Sequence, residues 1–134
     1  MKRIKKIKAF TLTELLVVLV IIGILVLLAL PNLMPLITKA KSTEAKMQLK
    51  HIHTLEKSYF YMHSRYSKDF TEIGFEPKKL TTEGGNANYK ITITEANTDG
   101  FKAKAKAVVD FDGDGVHNVW VIDEDKNLKE LVKD

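Results

Sequence analysis

Residues 10–30 read FTLTELLVVLVIIGILVLLAL, and from residue 15 to residue 30 no charged or polar side chain interrupts the run. As a helix rising about 1.5 Å per residue, the stretch reaches roughly 31 Å, close to the hydrocarbon thickness of a bilayer at about 30 Å. One charge lies inside its start, Glu14. In front of it stands MKRIKKIKA, with Lys2, Arg3, Lys5, Lys6 and Lys8. A basic segment before an apolar run is also the pattern of a secretory signal peptide, but this run exceeds a signal core of about 7–15 residues. No small-x-small cleavage site follows it; the small residue Ala9 lies before it. The excess of Lys and Arg ahead of the span predicts a cytoplasmic N-terminus and an exported C-terminal domain. Lys39 and Lys41 beyond the span dilute that bias, and Glu44 follows them closely.

Glu14 has two readings from the residues alone. A carboxylate in a membrane helix costs on the order of 2.5–3.5 kcal/mol and usually has a partner. Alternatively, Thr11-Leu12-Thr13-Glu14 has the S/T-x-x-E form of a capping box, and a carboxylate suits the first turn of a helix.

The chain of 134 residues leaves room for one small domain after the span. It has no cysteine, so no disulfide braces it in any compartment. The net charge of +4 belongs to the leader: without its five basic residues, 16 basic side chains face 17 acidic ones. Nothing in that balance points to nucleic-acid binding by the folded domain. There is no nucleophile elbow, no H-E-x-x-H and no convincing acid–base pair, so no enzyme is expected.

A basic leader, a small residue, then F-T-L-x-E and an apolar helix with a proline near its end resembles the N-terminal signal of type IV pilins and type II secretion pseudopilins. The likeness covers about 30 residues, with one departure, Ala9 where Gly is the rule. It implies cleavage between Ala9 and Phe10 by a prepilin peptidase, and N-methylation of Phe10 by the same peptidase/methyltransferase. It also implies that Glu14 serves assembly, its carboxylate meeting the new amine of Phe10 on a neighbouring subunit.

Pro31 and Pro35 follow the span, and each removes a helical N–H and crowds the preceding turn, so a kink or a melted turn is expected between residues 28 and 35. Beyond them Ala45, Leu49, Ile52, Leu55, Tyr59, Met62 and Tyr66 recur at helical spacing, with Lys46, Lys50, Glu56 and Lys57 on other sides. The pattern predicts one long helix over about residues 10–63, roughly 80 Å if extended. Tyr59, Phe60 and Tyr61 are read as packing side chains. His51, His53 and His63 lack the spacing of a metal site on one helix face.

Residues 64–88 read as a loop anchored by Phe70, Ile73 and Phe75. Alternation then marks strands: Tyr89, Ile91 and Ile93 on one face, and Phe101, Ala103, Ala105, Ala107 and Val109 on another. A third strand is expected over about residues 116–123, and a short helix at 128–132 in a polar tail.

Between the second and third strands lies Asp110-Phe111-Asp112-Gly113-Asp114-Gly115, the D-x-D-x-D-G opening of a calcium loop. Asp110, Asp112 and Asp114 are the candidate ligands, with the Val116 carbonyl, Asn118 and Asp123 after them. The other reading is an Asp-Gly hairpin turn. Pseudopilins that this chain resembles carry a structural calcium in such loops, and the missing cysteine favours that branch over the disulfide-closed pilins.

The expected fold is therefore α+β and pilin-like, a long N-terminal helix on an antiparallel sheet of about three strands. The expected segments are a leader over 1–9, a transmembrane and filament-core helix over 10–36, an amphipathic half over 37–66, and a loop and sheet domain over 67–134. The expected function is a structural subunit of a type IV pilus-like filament, foremost a major pseudopilin of type II secretion held in the bacterial inner membrane by its helix. Its partners would be copies of itself, membrane lipid, the prepilin peptidase, an assembly platform protein and an ATPase. A type IV pilin for adhesion, motility or DNA uptake is the alternative, ending as a cell-surface filament instead of a periplasmic pseudopilus. A membrane-anchored calcium-binding or sensing domain that never polymerises is the alternative of another class.

Overall fold

A computed structural model describes residues 7–134. Lys2, Arg3, Lys5, Lys6 and with them most of the expected leader lie outside the described residues. The chain divides into two compact units, Met1–Met34 and Pro35–Asp134.

The described part of the first unit is chiefly the opening of helix α1, which runs Leu12–His63. Leu15, Leu16, Val17 and Val18, which together go round the helix, are all exposed, and none of its most apolar window is buried. A helix apolar all round with nothing covering it suits a membrane or a helical bundle. Helical structure continues without a break through Pro31 and Pro35, so no turn melts there. The intact turns on either side hold the helical dihedrals, to which a proline's fixed φ is already suited.

In the second unit the rest of α1 covers one face of an antiparallel meander. Its strands are β1 (Tyr89–Ala96), β2 (Phe101–Ala107), β3 (Val119–Asp123) and β4 (Leu128–Val132), in the order β1-β2-β3-β4. The expected three strands are thus four. Residues 128–132 form an edge strand and not a helix, because Trp120 to Ile122 on β3 pair with Leu128 to Glu130. A bulge interrupts the β1–β2 register between Ile93 and Glu95. β2 ends at Ala107, which leaves Val109 outside the strand and exposed.

The core joins Ala45, Leu49, Ile52 and Tyr59 of α1 to Tyr89 and Ile91 of β1, Phe101, Ala103 and Ala105 of β2, and Ile122 of β3. Three alanines in alternate positions of β2 let the helix approach closely, and each large apolar side chain contributes roughly 1.5–3 kcal/mol by leaving water. Ile73 and Phe75 are buried, and Phe70 packs against them, in the connection that includes α2 (Phe70–Ile73). Asp69 caps α2 by accepting the Thr71 N–H at 2.8 Å. Two expectations for α1 are overturned. Met62 is exposed, whereas Glu56 lies fully inside the core. The buried stripe steps through 45, 49, 52, 56 and 59, and that spacing of four and three puts residue 56 inward whatever its charge.

Candidate functional site

The first candidate site is the start of α1. Thr11 occupies the N-cap: its Oγ1 accepts the Glu14 N–H at 3.3 Å, and Glu14 Oε2 accepts the Thr11 N–H at 2.9 Å. This reciprocal pair is the capping box read from the sequence, and it satisfies two N–H groups that the helix end leaves open. Among the described residues no cation bridges Glu14. Ala9 and Phe10 precede the helix, outside any regular element, and are exposed, Phe10 to 81%. A bond outside any regular element offers a protease a backbone free of secondary-structure hydrogen bonds.

The second candidate site is the loop between β2 and β3. Asp110 accepts the N–H groups of Gly113 and Gly115 through its two oxygens, both at 2.6 Å. Asp112 accepts the Asp114 N–H at 3.1 Å, and Asp114 that of Val116 at 2.7 Å. Gly113 and Gly115 sit at φ 83° and 88°, a left-handed backbone that glycine adopts without a Cβ clash. The chain therefore curls round its own carboxylates. The Gly115 amide foremost holds the Asp110 carboxyl below its ordinary range. Asp112 receives the Asp114 amide, which lowers it, yet local desolvation and the charges of Asp114, Asp134 and Asp110 together leave it raised.

Not all the predicted ligands meet. Carboxylate oxygens of Asp110, Asp112 and Asp134 lie within 4.8 Å of one another. Asp134 was not foreseen; it arrives because β4 returns the chain beside β3, and its Oδ2 accepts the Phe111 N–H at 3.2 Å. Its Oδ1 is buried without a hydrogen-bond partner. Asp114 is outside this cluster.

Asp123 is at the far end of β3 from the loop, roughly 13 Å along a five-residue strand. There it holds the β3–β4 turn, accepting the N–H groups of Asp125 and Asn127. Asn118 is fully buried: its Oδ1 accepts from the Tyr89 hydroxyl at 2.7 Å, and its Nδ2 donates to Glu130 Oε1 at 2.7 Å and to the Val132 carbonyl at 3.0 Å. Both amide hydrogens and one Oδ1 lone pair are engaged inside the sheet, so it serves as a structural pin. The donor set that remains is three hard carboxylates, one with an orphaned oxygen, and it fits a cation of calcium's preferences, with Asp134 in the place expected of Asp123.

Two likenesses bear on these sites. Residues 4–30 match the prokaryotic N-terminal methylation motif. The chain is 40% identical over 85 residues to the type IV major pilin protein PilA of Myxococcus xanthus (strain DK1622). That match takes in 63% of this chain and 37% of the relative, so the chain spans well under half of the relative's length. Motif, relative and the long helix on its antiparallel sheet agree in one likeness, to type IV pilins.

Proposed function

We propose that the chain is a structural subunit of a type IV pilus-like filament, held in the bacterial inner membrane until assembly and then packed through residues 12–34 of α1. The observation that carries this reading is the uncovered apolar helix bearing a single carboxylate at its start. Glu14 is capped within its own chain, but a capped carboxylate in hydrocarbon still lacks a counter-charge. Removal of the leader between Ala9 and Phe10 supplies one, the methylated amine of Phe10 on a neighbouring subunit. Contacts of that head-to-tail kind generate open helical polymers. Processing would use the prepilin peptidase, and extraction an ATPase and a platform protein of the membrane.

A major-pilin role draws its support from the relative in Myxococcus xanthus, which is a type IV major pilin. A second reading, a major pseudopilin of type II secretion, draws its support from the acidic loop in a chain without cysteine. Under either reading, calcium held by Asp110, Asp112 and Asp134 would neutralise the clustered charge and tie β4 to the β2–β3 loop.

Assembly is tested by Glu14→Ala expressed in the native host. The variant should insert and be cleaved, with an intact mass that begins at methylated Phe10, yet be missing from sheared-filament fractions. Equal amounts of variant and wild type in those fractions refute the docking role. Loss of surface filaments on deletion of the gene supports the pilus, and loss of protein export with filaments intact supports the pseudopilus.

A further inference from the structure

The sheet has a second face, turned away from α1. Lys90 of β1 lies directly opposite Lys106 of β2, and Lys104 follows on the same side of β2, opposite Thr92. Like charges directly across a strand pair are destabilising. Among the described residues no acidic side chain bridges these three lysines; the ion pairs are Arg65–Glu72 and Lys102–Glu95. A groove of about 590 Å³ passes over them, with the hydroxyls of Thr82 and Thr92 beside it and one acid, Glu83, among its lining residues. A second depression of about 380 Å³ adjoins it, lined by Lys102, Lys104, Lys129, Val121 and Leu131, the leucine 61% exposed, with one acid, Asp123. The face therefore sets ammonium groups around an exposed aliphatic patch. No Phe, Tyr or Trp lines either depression, and the one ring there is the His117 imidazole, so a nucleic-acid strand finds no row of aromatic platforms to stack on.

We propose that this outer face, built around Lys90, Lys104 and Lys106, docks on an anionic lipid surface and holds the unassembled subunit's domain against the membrane. The inference rests on the reading of the apolar helix as a membrane anchor. That anchor is what selects a lipid surface over other polyanions: the domain begins at Pro35, directly after the apolar stretch, so lipid headgroups are present at a high effective concentration. A lysine beside an anionic surface contributes about a fivefold bias, and three give on the order of a hundredfold. The aliphatic patch at Val121 and Leu131 adds contact with the acyl boundary.

The chain has no cysteine, so a single label is unambiguous. Full-length Thr92→Cys, carrying an environment-sensitive fluorophore, is reconstituted into phosphatidylcholine vesicles with or without phosphatidylglycerol, both containing headgroup-spin-labelled lipid. Quenching is expected with phosphatidylglycerol and not without it. Reversal of the three lysines to glutamate removes their attraction and adds repulsion, so it should weaken docking by well over a hundredfold. High salt should release the unreversed chain in the same way without touching its fold. A label at Thr71→Cys, away from this face, should not respond. Equal quenching in both vesicles, or quenching in neither, overturns the proposal. A response to soluble DNA or polyphosphate but not to vesicles makes the partner a free polyanion. A response that follows protein density and not lipid charge makes it a second copy. Either result also overturns the proposal. Extraction of the chain by alkaline carbonate would show that the anchor reading itself has failed, and the docking proposal falls with it.

Discussion

Glu56 gives the most quantitative prediction. It is fully buried on α1, with Oε2 accepting the Ser67 N–H at 3.1 Å and Oε1 unpartnered. Burial pushes its carboxyl up from 4.5 to about 7, against the opposing pull of the Ser67 amide. A displacement of that size corresponds to about 3 kcal/mol. An unfolded chain gives up this proton near pH 4.5, whereas the folded chain keeps it to about pH 7. Between those values the unfolded state binds fewer protons, so stability falls as pH rises, and above about 7 the whole cost stands. Thermal melting of a fragment spanning Pro35–Asp134 at pH 5 and pH 8 measures it. The native fragment should lose roughly 10–20 °C of melting temperature across that window.

Glu56→Gln never ionises and keeps an acceptor for Ser67, so it should flatten the dependence. Its unpartnered amide should cost about 1–2 kcal/mol at pH 5. Glu72, lowered foremost by the Ser67 hydroxyl, and Asp110, lowered foremost by the Gly115 amide, give stability that is lost only as pH falls through the acid range, outside the window. Parallel curves for the native fragment and Glu56→Gln would refute the reasoning.

Asn118→Ala removes three hydrogen bonds and leaves the Tyr89 hydroxyl, Glu130 and the Val132 carbonyl without that partner, which should cost about 2–4 kcal/mol and speed hydrogen exchange in β4. Unchanged exchange there would show that Asn118 does not pin that edge. Calcium at a hundredfold excess over its dissociation constant should stabilise the same fragment by about 2.7 kcal/mol, with magnesium substituting poorly. Asp112→Ala and Asp134→Ala should each remove most of that response, and Asp123→Ala should leave it; melting curves that superimpose with calcium and with chelator would leave the loop as only a turn.

The parts of this protein legible in its sequence are those whose information is local. The capping box is four consecutive residues, and the apolar stretch is its own evidence. Alternation in 101–107 reads correctly because one face of β2 is buried and the other wet. What was missed depends on contacts remote in the chain. β4 has Leu128, Leu131 and Val132 at spacings that fit a helical turn, and it becomes a strand only because β3 offers an edge. Asp134 reaches the acidic loop through that pairing, and no local signal marks it. Glu56 was legible by position: its spacing from Ile52 and Tyr59 puts it on the buried stripe, and its charge misled. Asn118 stands in sequence where a calcium loop has a ligand, but the buried Tyr89 hydroxyl and the β4 backbone claim it first.

The order β1-β2-β3-β4 leaves two open edges on a domain that the proposed filament would bring to high local density. An unguarded edge is a template on which another copy's strand adds, and subunits joined that way would form a continuous ribbon instead of a reversible helical stack. Both edges discourage it. β1 is broken by the bulge between Ile93 and Glu95, which spoils the register an incoming strand needs. β4 is only five residues long and carries Lys129 and Glu130 at its middle. Unpaired backbone would thereby be kept from competing with the apolar helices in the proposed filament, whose subunits, meeting through helices alone, would separate without unpairing any strand.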